Sequence, residues 1–317
     1  MTSPQRKSGK KQMPDPYQQL IDDLVAEQQY LDAQLADLPD DVWQHDTPCR
    51  GWMVRDVISH LAEVDESATS VASGASQTMS GGDRSEDGTR SALQDSSRHM
   101  TRVQLVDWWR ACRNRMEAAL RARDGRDRLP WAGPPMSARS FATARLMECW
   151  SHGLDALDGA GIDPIHSDRL QHIAHLGYIT RQFAYRTRGL EPNAEPLRVQ
   201  LELPSGAGWT RGDEDAANVI SGTAVDFCRV ATQRIHYRDT GLPTASSTSP
   251  TNAASLPGRC WPTSAPTSSR SNLRPVRPGA ASHRSSPTVL TNRSIGLLTH
   301  GASAGSLATS RTLVDAN

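Results

Sequence analysis

Hydrophobic residues recur every three or four positions through most of the first 190 residues, which is the period of an amphipathic helix. The pattern predicts five long helices, over residues 14–38, 53–71, 101–123, 140–159 and 168–188. Residues 73–98 consist mainly of Ser, Gly, Asp and Arg, so they predict a long mobile connection between the second and third helices. Three prolines in residues 129–136 exclude a helix or a central strand there and predict a packed loop.

The hydrophobic period changes near residue 191, where helical spacing gives way to alternation. Residues 197–203 place Leu or Val at every second position, with Arg, Gln and Glu between them, and predict a half-buried strand. This part is also predicted to contain two short strands, at 208–210 and 218–220, and a helix that is capped by Ser221 or Thr223 and runs to Ile235. Residues 191–243 are therefore expected to form a small α+β domain after a helical domain at 14–190.

The two ends of the chain differ from the rest in composition. Residues 1–13 form a basic, polar leader, and in residues 244–317 Ser and Thr supply about a third of the positions while Asp315 is the one acid. Such segments lack the apolar surface that offsets chain entropy, so both are predicted to be disordered. A Ser/Pro/Arg mixture that starts abruptly could also come from reading the wrong frame of a GC-rich gene, and resequencing around Gly241 tests this.

Charge and cysteine content narrow the class of protein. Lys and Arg together number 35, as do Asp and Glu, so the net charge of zero does not suggest nucleic acid as a partner. The five cysteines are odd in number and widely spaced, which argues against a disulfide framework and favours a reducing compartment. The sequence has no signal-peptide core and no apolar run that could span a bilayer, so we expect a cytoplasmic protein without a membrane partner.

A carboxylate and an imidazole four residues apart, Glu148 and His152, lie within the fourth predicted helix. Residues i and i+4 share one helix face, so these side chains can direct an oxygen and a nitrogen to one point. The same spacing also occurs in exposed hydrogen-bonded pairs, and the motif alone does not distinguish the two. His60, on the second helix, falls between Val57 and Val64 on the apolar face and is expected to point inward.

Together, His60, Glu148 and His152 suggest a metal site between facing helices of a bundle. Two imidazoles and one carboxylate leave at least one coordination position open, which is typical of catalytic rather than structural sites. These ligand types suit zinc, with nickel, iron or cobalt as alternatives. A core histidine and an unrelated surface Glu–His pair would produce the same sequence, so this alternative stays open.

Two segments resemble the metal-binding motifs of the DinB-like and mycothiol-dependent maleylpyruvate isomerase superfamily. Residues 47–62 carry Thr-Pro, Gly-Trp, Val-Arg-Asp-Val and His-Leu in the order of its first motif, and residues 145–161 carry the Glu-x-x-x-His of its second. Residues 131–140 resemble an actinobacterial subgroup of metal-binding proteins. The resemblance covers about residues 15–242 and implies a mainly α fold, in which a DinB-like four-helix bundle with a metal site precedes a small, sterol-carrier-like α+β domain and a disordered tail.

The resemblance also implies roles for individual residues. It carries His60, Glu148 and His152 over as ligands of a divalent metal, with zinc favoured. The family's last helix ends in an arginine that the isomerase uses, and Arg234 holds the comparable position here. The alternative for Arg234 is an ordinary helix-end cation stabilised by the helix dipole. After Leu242 the tail replaces the final folded segment expected in the family, so the second domain is expected to be incomplete.

Geometry suggests roles for the residues beside these candidates. We assign Cys49 and Cys149 to packing, since Cys149 lies about 100° around the helix from Glu148. Asp155 lies on the ligand face one turn beyond His152, so it either accepts a hydrogen bond from the imidazole or faces solvent.

For function, the resemblance implies a thiol-dependent enzyme. An open zinc site can lower the pKa of a small thiol such as mycothiol and keep it nucleophilic. The expected second substrate is an electrophilic or unsaturated acid whose carboxylate Arg234 would hold during isomerisation or S-transfer. A non-catalytic DinB-like metal-binding module, a metal-dependent hydrolase and a protein impaired by its tail are the alternatives. The protein is expected to be a monomer or a homodimer.

Overall fold

The structure is a computed structural model, and it describes residues 15–75, 91–131, 134–186, 189–192 and 194–242. The helices are α1 (Pro16–Leu35), α2 (Val54–Ala72), α3 (Ala92–Ser97), α4 (Arg102–Arg121), α5 (Ala138–Ala160), α6 (Leu170–Arg186) and α7 (Ala224–Ala231). The strands are β1 (Arg128–Leu129), β2 (Met136–Ser137), β3 (Leu197–Glu202), β4 (Gly208–Arg211) and β5 (Asn218–Thr223). The predicted leader and tail lie outside the described residues, as do residues 76–90 of the predicted connection.

The five long helices predicted from the hydrophobic period are confirmed as α1, α2, α4, α5 and α6. α5 begins at Ala138, before the predicted start, because the Ser137 side chain accepts the backbone N–H of Ser140 and caps the first turn. It ends at Ala160, and Gly161 follows in the left-handed conformation at φ 71°. The second motif therefore lies in one uninterrupted helix. None of the described helices has an apolar stretch long enough to cross a bilayer.

The connection after α2 contains a short helix that the composition did not indicate. α3 lies within residues 91–98, so the prediction of a mobile connection is wrong for that part of the chain. Ser91 and Gln94 form a capping box in which each side chain accepts the backbone N–H of the other, at 3.0 and 2.7 Å. Arg98 then pairs with the Asp56 carboxylate and ties the end of α3 to the first turn of α2. The Ser-x-x-Gln spacing was the signal available in the sequence.

Helices α1, α2, α4 and α5 pack around a common interior, in which α5 contacts α1 and α2 while α4 contacts the same two helices from another side. One hydrophobic cluster joins the C-terminal half of α1 to the N-terminal halves of α2 and α4 and to α5. A second cluster joins the opposite ends of α1 and α2 to α5, α6, α7 and the strand β3. The C-terminal part of the chain therefore shares a core with the helices.

The C-terminal strands form a sheet in the order β4-β3-β5, with β4 antiparallel and β5 parallel to the central strand. The alternation predicted for residues 197–203 is confirmed, since the Leu and Val side chains of β3 are buried and the polar ones are more exposed. β5 runs to Thr223, beyond its predicted end, and the Thr223 side chain accepts the Asp226 N–H and caps α7. The separate pair β1 and β2 flanks the predicted proline-rich loop.

α7 ends at Ala231, earlier than predicted, because the chain reverses through a left-handed residue. Gln233 has φ 65°, and its N–H bonds to the Val230 carbonyl at 3.1 Å. The next N–H, of Arg234, bonds to the Arg229 carbonyl at 2.8 Å. These two bonds form a Schellman motif. Arg234 therefore lies just after the helix instead of within it.

Candidate metal centre

The three residues predicted as ligands come together between α2 and α5. His60 Nε2 lies 3.9 Å from Glu148 Oε2, and His152 Nε2 lies 3.5 Å from the same oxygen. The two imidazole rings meet edge to face, with their centroids 4.7 Å apart. One ligand atom from each of the three residues lies within 4.8 Å of the other two. Two helices thus direct two nitrogens and one oxygen to one region of space.

The spacing of these atoms fits a small metal ion. Tetrahedral zinc with bonds of about 2.0–2.2 Å places neighbouring ligand atoms about 3.3–3.6 Å apart. The 3.5 Å distance from His152 to Glu148 Oε2 lies within that range, and the 3.9 Å distance from His60 lies about 0.3 Å above it. The side chains of His60 and His152 are 11% and 2% exposed, and that of Glu148 is 16% exposed, so the Glu148 side chain is the most exposed of the three.

Trp52 forms one wall of this cluster, a role that we did not predict. Its indole ring stacks on His152, with centroids 5.8 Å apart and planes at 22°, and its centroid lies 5.0 Å from that of His60. Gly51, at φ 76°, permits the turn before it, and the Thr47 hydroxyl donates to the Trp52 carbonyl at 2.9 Å. The Gly-Trp pair of the first motif was the signal in the sequence.

The second nitrogen of His152 faces Asp155, which is buried, so the solvent-facing alternative for this carboxylate is wrong. Asp155 Oδ2 lies 3.1 Å from His152 Nδ1. Arg234 donates from Nε and Nη2 to the two carboxylate oxygens, at 3.2 and 2.5 Å, and from Nη1 to the Thr232 carbonyl at 2.7 Å. Arg234 therefore reaches the cluster through Asp155, with most of its donors directed to the chain itself.

The two cysteines that we assigned to packing are both buried but have different surroundings. Cys49 Sγ lies 3.1 Å from Asp155 Oδ2 and donates to it, so packing is an incomplete description of this residue. Cys49, His152 and Asp155 form a second group of ligand-type atoms within 4.8 Å of one another. Cys149 lines the other side of α5, beside Glu27. A separation of 106 residues hid the Cys49 contact from sequence patterns.

Burial and neighbouring charges shift the pKa values in this cluster. Burial lowers the pKa of His60 to about 4 and so favours the neutral imidazole that a metal requires. Burial raises the pKa of Asp155, but the Arg234 guanidinium and His152 lower it to about 2. Burial lowers the pKa of His152, but its hydrogen bonds, led by that to Asp155, raise it well above its usual value. A metal ion at Nε2 would replace the proton that this raised pKa favours, since only the neutral imidazole ligates a metal.

Comparison with known proteins gives two kinds of match. The sequence model described as the mycothiol maleylpyruvate isomerase N-terminal domain matches residues 24–157. An uncharacterized protein of Mycobacterium tuberculosis, found in two strains, is 41% identical over 218 residues, which are 68% of this chain and 84% of the relative.

Among solved structures, the chain is similar to two crystal structures of the mycothiol-dependent maleylpyruvate isomerase, one of them of a histidine-to-alanine mutant. Each is 16% identical, with a TM-score of 0.49, and the alignment covers 70% of this chain and 90% of the other. On the sequence matches, the chain belongs to the mycothiol maleylpyruvate isomerase family within the DinB-like superfamily.

Proposed function

We propose that the protein binds zinc through His60, Glu148 and His152 and uses it to activate a low-molecular-weight thiol such as mycothiol. The proposed reaction is isomerisation or S-transfer on an electrophilic or unsaturated acid. The observation that carries this proposal is the approach of both histidine Nε2 atoms to one Glu148 oxygen, at 3.9 and 3.5 Å. Membership of the maleylpyruvate isomerase family supports the choice of a thiol as cosubstrate.

The ligand set favours a catalytic metal over a structural one. Structural zinc is usually enclosed by four protein ligands, whereas three ligands leave a position for a reacting molecule. Zinc at this position supplies Lewis-acid chemistry that lowers the pKa of a thiol and keeps it nucleophilic near neutral pH. The partial exposure of Glu148 is consistent with entry of a small molecule from that side.

Residues around His152 favour the tautomer and the ring orientation that binding a metal through Nε2 requires. Asp155 accepts the Nδ1–H of His152, which leaves the lone pair of the ring on Nε2, facing Glu148. Trp52 stacks on the same ring and restricts its rotation. The contacts thus select both the tautomer and the orientation that ligation by Nε2 requires.

For Arg234 we propose two roles. Its Nε and Nη2 hold the Asp155 carboxylate, so it orients His152 indirectly. The role implied by the family is binding of a substrate carboxylate, for which two of the five guanidinium N–H groups remain, one on Nη1 and one on Nη2. These two donors, on neighbouring nitrogens, are sufficient to bind one carboxylate of a small acid.

The proposal can be tested on the full-length protein by elemental analysis and by a thiol-dependent assay. We expect one equivalent of zinc in the wild type, loss of that equivalent in His60→Ala, and turnover of maleylpyruvate that requires both zinc and mycothiol. His172→Ala is the matched control, because His172 on α6 pairs with Asp23 at 2.8 Å and lies outside the cluster. Unchanged metal content in His60→Ala would overturn the metal site.

A non-catalytic metal-binding module is the second candidate, and the engagement of Arg234 by Asp155 and Thr232 favours it. In that case zinc binds as above and no electrophile is turned over with any thiol. A metal-dependent hydrolase would instead cleave esters or amides without added thiol. The same zinc-loaded protein, assayed with and without mycothiol, distinguishes these outcomes.

A further inference from the structure

We propose that a buried ion pair between Asp65 and Arg145 is a positioning device for the metal centre, and that it fixes how His60 and Glu148 meet. Asp65 follows His60 on α2, and Arg145 precedes Glu148 on α5. The inference rests on the proposed metal site, but none of the ligands belongs to the ion pair. Both partners are buried, with side chains 2% and 5% exposed.

The contacts of this pair connect the two helices that carry the ligands. Arg145 Nη2 and Nε donate to Asp65 Oδ1, at 2.9 and 3.3 Å. The other oxygen, Asp65 Oδ2, accepts a hydrogen bond from Gln28 Nε2 of α1 at 3.3 Å. His60 meets Glu148 and Asp65 meets Arg145, so α2 and α5 run antiparallel and the pair lies about one turn from the ligands.

The energetics of buried charges argue that this pair does more than hold the fold together. Removing two charges from water is unfavourable, and apolar residues of similar volume often give equal or greater stability. Directional hydrogen bonds, by contrast, fix the register of two helices, whereas apolar contacts allow sliding. Metal ligands must meet their ion within about 0.2 Å, so a small slip of α2 along α5 would separate His60 from Glu148.

The test replaces the polar set by apolar residues and measures metal binding. The variant is Gln28→Met/Asp65→Leu/Arg145→Met. Gln28 is included because its buried side-chain amide would otherwise lose its hydrogen-bond acceptor on Asp65. The readouts for the full chain are the zinc Kd, by competition with a chromophoric chelator, and the visible absorption spectrum of the cobalt(II)-loaded protein. We expect zinc binding about 10- to 100-fold weaker and a changed cobalt spectrum, with a Tm no lower than that of the wild type.

Two further variants test whether a change in zinc binding comes from the ion pair itself. Arg145→Lys keeps the charge but not the planar fork, and should weaken zinc binding by an intermediate factor. Asp32→Asn is the matched control, because Asp32 is a buried carboxylate that joins α1 to Arg110 and Arg113 of α4, neither helix carrying a ligand. It should lower the Tm and leave the zinc Kd and the cobalt spectrum unchanged.

The possible outcomes separate the two proposals. If the wild type binds zinc and the triple variant has the same zinc Kd and cobalt spectrum, the positioning role is overturned and the proposed function stands. A wild-type protein that binds neither zinc nor cobalt overturns both. If the triple variant does not fold, wild-type values for Arg145→Lys overturn the positioning role.

Discussion

The two nitrogens of His152 face two clusters that look alike by residue type and differ in charge. On the Nε2 side lie His60 and Glu148, and on the Nδ1 side lie Cys49 and Asp155. Each side, with His152, forms a group of ligand-type atoms within 4.8 Å. On the Nδ1 side, however, the Arg234 guanidinium occupies the carboxylate, while the Nε2 side has no guanidinium bonded to its carboxylate among the described contacts.

The difference shows why ligand-type residues alone do not define a metal site. A guanidinium within hydrogen-bond distance of Asp155 already supplies the positive charge that this carboxylate needs, and it repels a second cation. Among the described residues, the ion-pair partners of the Glu148 carboxylate are the two imidazoles, which are good ligands when neutral. The Nε2 side is therefore suited to a metal and the Nδ1 side to a hydrogen-bond network that supports it.

The largest expected effect comes from Glu148→Gln on the Nε2 side. The substitution keeps the size of the side chain but removes the negative charge and one good oxygen ligand. Zinc affinity should fall by more than about 100-fold, beyond the range usual for groups that only support a ligand. Competition with a chelator measures this, and an affinity within a few-fold of wild type would contradict the assignment.

The next effect should come from Asp155→Asn on the Nδ1 side. Loss of the carboxylate weakens the hold on His152 and leaves the buried Arg234 charge without its partner. We expect zinc binding about 10- to 100-fold weaker, together with a lower Tm. The double variant Asp155→Asn/Arg234→Gln removes the unpaired charge and should recover part of the Tm; no recovery would argue against the pairing.

A smaller effect is expected where the loop of the first motif packs against α5. A Cβ on Gly159 would lie 2.9 Å from Thr47 Cγ2 and 3.0 Å from the Asp46 carbonyl oxygen and Val54 Cγ2. Gly159→Ala should therefore lower the free energy of unfolding by about 1–3 kcal/mol. Urea denaturation measures it, and Gly208→Ala, where a Cβ meets nothing within 4 Å, is the control.

The smallest effect is expected from Cys49→Ala, which removes one weak donor to Asp155. Because Arg234 and His152 still bond to that carboxylate, zinc affinity should change by less than about 10-fold, the equivalent of one ordinary hydrogen bond. Cys49→Ser keeps a donor and should lie closer to wild type. A complete loss of zinc in Cys49→Ala would mean that Cys49 is itself a ligand and that the two sides of His152 are not distinct.

The sequence was sufficient for the long helices because each carries its own apolar stripe, and the stripe of α2 also indicated that His60 points inward. The sequence did not predict the secondary structure correctly where a local capping signal and the overall composition of a segment pointed to different structures. Residues 91–98 are polar enough to resemble a connection, yet the Ser91–Gln94 capping box starts a helix there. The end of α7 was missed for a related reason, because the hydrophobic pattern does not indicate that Gln233 adopts a left-handed conformation.

For the candidate centre, helix spacing brought Glu148 and His152 together, the apolar stripe of α2 added His60, and the resemblance supported these three as ligands and added Arg234. The structure then added contacts that spacing could not provide. The contacts of Trp52 with His152 and of Cys49 with Asp155 depend on how a loop folds over α5, and in each contact the two residues are about 100 positions apart in the sequence. Such contacts are set by tertiary packing, so residues outside the periodic segments were the ones missed or only partly described.

The Schellman turn after α7 has a consequence for synthesis of the protein. Arg234 is the last residue of its cluster to leave the ribosome, long after α2 and α5 have been made. Until then, Asp155 is a carboxylate inside a helical core without its strongest partner. Until the chain is translated past Gln233, Asp155 has only His152 and Cys49 as the partners described above, and a product interrupted before that point would lack the guanidinium permanently.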